Sequence, residues 1–149
     1  MIKRFFPVLF LLLLCFQCNE DINDCSAVLC AGSPSLALMV LENGGNVFAN
    51  ETYTLEDIVI SGANTSEIML EIFETEAGTP LLILSNLPWQ IGANDYTLTF
   101  AGEASADLSI NIILSENDGC CGGIEQLRSF SSNGRVVELN NGSYSVSLR

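Results

Sequence analysis

From position 35 to the C-terminus, short apolar stretches alternate with polar turn residues. Tyr96, Leu98 and Phe100 alternate with Thr97 and Thr99, and Leu108, Ile110 and Ile112 alternate with Ser109 and Asn111. A repeat of two sends one set of side chains to each face of a strand. Tyr144, Val146 and Leu148 alternate with Ser145 and Ser147 in the same way. Ile58-Val59-Ile60 is a β-branched triplet, and Leu81 to Leu84 is an apolar run after Gly78-Thr79-Pro80; both favour strands. Ser35 to Leu41 is largely apolar and runs into Asn43-Gly44-Gly45, a hairpin-turn signal, with Val47-Phe48-Ala49 expected on the returning strand. Val136-Val137 lies between Asn133-Gly134 and Asn141-Gly142. The last third therefore reads as an antiparallel meander that ends at the C-terminus.

Two segments compete with that pattern. In Ser66 to Phe73, Glu67, Glu71 and Glu74 fall at helical spacing, whereas Ile68, Leu70 and Ile72 recur at strand spacing. The apolar residues would cover nearly all sides of a helix, so the segment is read as a strand. Thr54-Leu55-Glu56-Asp57 matches a capping box, but the β-branched triplet that follows argues against a helix. Eight to ten short strands with few helix signals predict an all-β chain, an antiparallel two-sheet β-sandwich over residues 35–149. Tyr53, Tyr96 and Tyr144 each follow polar turn residues and precede Thr or Ser and then an aliphatic residue. Similar turn-then-Tyr strands occur in immunoglobulin-like and transthyretin-like sandwiches, a resemblance that implies fold and no activity.

The N-terminus has a different pattern. Lys3 and Arg4 precede an apolar run from Phe5 to Phe16. That run is too short for a bilayer core, which takes about 20 residues, and has the form of a secretory signal. Cys18 follows it, and then Asn19-Glu20-Asp21-Ile22-Asn23-Asp24. The segment resembles the signal of bacterial lipoproteins, in which the cysteine after the cleavage point receives lipid, and the acidic stretch is similar to the tag of Bacteroidota-type surface lipoproteins. Cys15 and Gln17 stand where that family carries Leu and a small residue; Cys15 is the competing acceptor, but bulky Leu14 precedes it within the apolar run. The resemblance implies a signal peptide over residues 1–17, lipidation of Cys18, and an acidic tether over residues 18–34. It also implies an outer-membrane location facing the cell exterior, with the membrane reached through the lipid alone.

Of the six cysteines, Cys25, Cys30, Cys120 and Cys121 would remain free of signal and lipid. An even number in an exported chain predicts disulfides. Bridges from the N-terminal pair to Cys120-Cys121 are expected, because a bond between adjacent cysteines needs a strained ring. The alternative of a four-thiolate metal site lacks the paired C-x₂-C spacing, and a redox role lacks C-x-x-C.

Charge and composition then narrow the chemistry. With 5 basic and 18 acidic residues, a net charge of −13 and no histidine, the chain is unsuited to nucleic acid and has no His-based catalysis or metal site. Carboxylate pairs such as Glu67 and Glu71 on one strand face are the remaining catalytic option, and solvated glutamates explain them as well. No catalytic residue, cofactor or metal is assigned, and the chain is expected not to be an enzyme. Glu116-Asn117-Asp118-Gly119 and Glu56-Asp57 offer oxygen ligands for calcium, although Asn, Asp and Gly at those places also serve turns. Trp89 and Tyr96 offer surfaces for stacking on a sugar, with core filling as the competing role. The expected function is a structural or recognition role at the cell envelope, with an envelope-protein or glycan partner. The alternative is a glycan-binding accessory lipoprotein of a carbohydrate-uptake system.

Overall fold

The computed structural model describes residues 35–115 and 123–149. Cys18, the four cysteines of the expected bridges and the Glu116–Gly119 turn lie outside the described residues. The described chain forms two five-stranded sheets. The strands are β1 (Leu36–Glu42), β2 (Gly45–Asn46), β3 (Ile58–Gly62), β4 (Met69–Glu74), β5 (Pro80–Ser85), β6 (Gly92–Phe100), β7 (Ala104–Leu114), β8 (Glu125–Ser132), β9 (Arg135–Val136) and β10 (Tyr144–Ser147). Sheet A runs β10-β1-β5-β4, with β2 also paired to β1, and sheet B runs β3-β6-β7-β8-β9.

Period-two alternation builds the core. In β6, Asn94, Tyr96, Leu98 and Phe100 point inward, and in β7 Ala104, Ala106, Leu108, Ile110 and Ile112 do so. They meet Leu36, Leu38 and Val40 of β1, Leu82 and Leu84 of β5, and Val146 of β10 in one cluster. Burying these side chains is the main favourable term in folding, at about 1.5–3 kcal/mol for each large aliphatic or aromatic group.

The two-residue turns follow one rule. Asn43-Gly44, Ala101-Gly102, Asn133-Gly134 and Asn141-Gly142 all have both residues at positive φ. That is the turn whose twist matches flanking antiparallel strands, and Asn-Gly is its preferred pair.

Three expectations are corrected by the pairing. The β1–β2 hairpin is only two pairs long, Leu41 with Asn46 and Glu42 with Gly45. After it, the Asn46 side-chain oxygen accepts from the backbone N–H of Phe48 at 3.0 Å and of Ala49 at 3.3 Å, folding Val47 and Phe48 into the core rather than along a strand. The C-terminal meander stops at β9. The chain then crosses to sheet A, where β10 pairs with β1 in parallel, Leu38 beside Tyr144 and Val40 beside Val146. Every other named strand pairing is antiparallel. The Tyr144 ring packs on Phe130, centroids 4.5 Å apart, so the crossing strand fills the space between the sheets. Third, Thr54–Asp57 does make a short helix, a single 3-10 turn over Leu55–Asp57.

Ser66–Phe73 resolves into two elements. A 3-10 turn covers Thr65–Glu67, and β4 follows from Met69. Ile68 and Leu70 pack against the core as strand spacing requires.

Candidate functional site

A depression on the outer face of sheet B has a volume of about 470 Å³. Two cross-strand rows make its floor. Ser61, Thr97 and Asp107 stand side by side on β3, β6 and β7, and Asp95, Ser109 and Ser131 on β6, β7 and β8. Each is the polar partner of a buried neighbour in the alternation, so the pattern that buries Tyr96, Leu98 and Leu108 also aligns these hydroxyls and carboxylates.

One carboxylate is engaged and the other is exposed. Asp107 accepts a hydrogen bond from the Thr97 hydroxyl at 2.9 Å and an ion pair from Arg149. Its backbone N–H donates to the Asn133 side chain at 3.0 Å, and the Asn133 N–H donates to the Asp107 carbonyl at 2.8 Å. The Asn133 amide also donates to the Ser147 carbonyl at 2.7 Å, tying the β8–β9 turn to β10. Asp95 is exposed at the other side of the depression. At its wall, Gly62 has φ 143°, and a Cβ there would lie 2.6 Å from the Asp95 carbonyl oxygen. Only glycine lets β3 approach β6 so closely at this point.

This arrangement offers hydrogen-bond acceptors and donors on a nearly flat surface. It suits a ligand rich in hydroxyl or amide groups, or a solvated sheet face. Among the described residues no group of three or more acidic, Cys or His side chains is placed to hold a metal ion.

The residues singled out from the sequence fall elsewhere. Tyr96 is 4% exposed and belongs to the core, so its ring offers no face for stacking; burial pushes its hydroxyl pKa up. Trp89 is half-buried and packed on the core, with its indole N–H buried and unpartnered among the described residues. Neither ring forms an exposed platform with the depression. Glu67 lies in the 3-10 turn and Glu71 on β4, both exposed, so they do not share one strand. Asp57 accepts from the backbone N–H and the hydroxyl of Thr54, each at 2.8 Å. Those bonds, the backbone one first, hold its carboxyl below the usual range, and the residue caps its own turn. The six polar residues of the depression, by contrast, were not distinguished in the sequence from other polar alternates. What groups them is strand register, which joins positions up to 70 residues apart.

No family model, curated protein or solved structure matches the chain.

Proposed function

We propose that this chain is a non-enzymatic lipoprotein of a bacterial envelope, anchored at the outer membrane through Cys18 and carrying an outward-facing β-sandwich with a structural or recognition role. The observation that carries the reading is the order Lys3-Arg4, the apolar run Phe5 to Phe16, Cys18 and an acidic stretch, placed directly before an all-β domain. A signal of that form exports the chain, and several acyl chains, at about 0.8 kcal/mol per buried CH₂, hold it at the membrane without help from the domain.

The sandwich is of the immunoglobulin-like or transthyretin-like kind, stapled by disulfides from Cys25 and Cys30 to Cys120 and Cys121. Topology supports that pairing class. The chain enters β1 at Leu36, opposite Leu84 near the end of β5; β5 crosses through residues 86–91 to Gly92, which pairs with Ile112 near the end of β7. The start of β1 and the end of β7 therefore share one end of the sandwich. Just beyond β7, the Ser115 N–H donates to the Ile124 carbonyl at 2.8 Å.

Intact-mass measurement and radiolabelled fatty-acid incorporation test the anchor. A product beginning at Cys18 with acyl mass, lost in Cys18→Ser, is expected. An unmodified chain that retains Met1 would overturn the reading.

A second reading, glycan recognition for carbohydrate uptake, draws on the hydroxyl and carboxylate rows of sheet B. Tyr96 points inward and Trp89 packs on the core, so neither of the two rings on which that reading rests offers a platform beside the rows, and the structural or protein-recognition reading is preferred. A glycan array probed with the full chain separates the two.

A further inference from the structure

The two outer faces differ in kind. The middle of sheet B's outer face carries Ser, Thr, Asn and Asp, whereas sheet A's carries Ala37, Met39 and Ile83. At the edge of sheet A lies β4, which among the described residues pairs on one side only, with β5. Met69 is 60% exposed, Phe73 53% and Ile72 36%. An edge strand with unpaired backbone and uncovered apolar side chains is a template for another strand. Most small proteins blunt such edges with lysine, proline or a bulge. The strands of sheet A contain no Lys or Arg, β4 has no proline, and its six pairs with β5 run without a register shift.

The charge on this edge is of one sign. Glu67, Glu71, Glu74 and Glu76 are exposed along β4 and its flanks, while the described arginines, Arg128, Arg135 and Arg149, belong to β8, β9 and the C-terminus. That selects the occupant. A second copy pairing antiparallel, with Met69 against Phe73, would set Glu71 directly against Glu71, and like charges opposite each other are destabilising. A foreign strand with a cation at that position gains instead.

We propose that the free edge of β4 receives an extended segment of a partner protein with the pattern apolar, apolar, basic, apolar, apolar. The segment adds a strand to sheet A. Its basic residue faces Glu71 on the outer side, its first and last residues cover Met69 and Phe73, and the two between meet Leu70 and Ile72. This deepens the recognition role proposed above for the domain, but does not depend on the lipid anchor.

The test uses the full-length chain in non-ionic detergent and a blocked synthetic peptide, Val-Val-Lys-Val-Val flanked by Gly-Ser pairs. Binding is read by fluorescence anisotropy and by backbone amide shifts. Shifts at Met69–Glu74 are expected. Glu71→Lys should weaken binding about tenfold and turn preference toward the same peptide with Glu for Lys. Glu125→Lys, an equal change in net charge on exposed β8, should leave affinity unchanged. A peptide methylated on its backbone nitrogens should not bind. Absence of binding, equal weakening by both charge reversals, binding of the methylated peptide, or self-association of the chain through β4 would each overturn the proposal. Failure of fatty-acid labelling would remove the anchor and leave this edge untouched, so the two results are read independently.

Discussion

Ala101 stands where three other turns have asparagine. It opens the β6–β7 turn at φ 50°, beside Gly102 at φ 76°, matching Asn43-Gly44, Asn133-Gly134 and Asn141-Gly142. A left-handed conformation costs an ordinary residue about 1 kcal/mol, and asparagine less, because its short side chain hydrogen-bonds locally. The Ala101 N–H already donates to the Asp57 carbonyl at 2.8 Å, and a new side chain leaves that bond intact. Ala101→Asn should stabilise the fold by about 0.5–1 kcal/mol, measured as a rise in the denaturant midpoint at constant slope. Gly62 predicts the opposite sign. A Cβ there meets backbone, the Asp95 carbonyl at 2.6 Å, at a φ of 143° that L-residues rarely adopt. Gly62→Ala should cost about 1–3 kcal/mol, and an unchanged midpoint would mean that β3 can move away from β6.

At the scale of single elements, side-chain hydrogen bonds decide where strands begin. Asn94, 9% exposed, accepts from the Gln90 N–H at 2.9 Å and donates to the Gln90 carbonyl at 2.6 Å, closing the crossover between the sheets onto the start of β6. Asn94→Ala would leave both Gln90 groups without that partner. It should cost about 1–3 kcal/mol and raise amide exchange at Gln90 before the rest of β6. Asp57 governs a pH-dependent start. Its folded carboxyl is held below the ordinary value by the Thr54 N–H and hydroxyl. A depressed folded pKa stabilises at pH above the unfolded value of about 3.9 and loses that stabilisation as pH falls through the folded value. Melting temperatures from pH 6 to 2 should therefore fall less steeply below pH ~4 in Asp57→Asn than in the parent chain, and identical slopes would show the cap to be idle.

For the molecule as a whole, local pattern was readable and pairing was not. β6 and β7 follow from strict alternation, because one face of each is in the core. β8 escapes that reading because a register shift opposite Asn111 and Ile112 places Arg128 as an extra residue, so Leu127 and Phe130 reach inward at a spacing of three. β10 is legible as a strand, yet its choice of β1 over β9 depends on packing against Phe130, which no local period encodes. The depression on sheet B is hidden for the same reason, since its six side chains meet only through register. The same global view gives the proposed disulfides their energetic meaning. The start of β1 and the end of β7 share one end, so a first bridge from Cys25 or Cys30 to Cys120 or Cys121 would close a loop of about 90 residues and stabilise by roughly 4 kcal/mol in the chain-entropy model, and a second beside it would close only a few residues more and add less. A bridge between Cys25 and Cys30 closes only a few residues and constrains the unfolded chain far less. If the chain is exported as proposed, reduction should accordingly lower its melting temperature by many degrees, and peptide mapping without reduction should recover fragments that join residues 25–30 to residues 120–121. A melting temperature indifferent to reductant would remove the staple and leave the apolar cluster of the two sheets as the main source of stability.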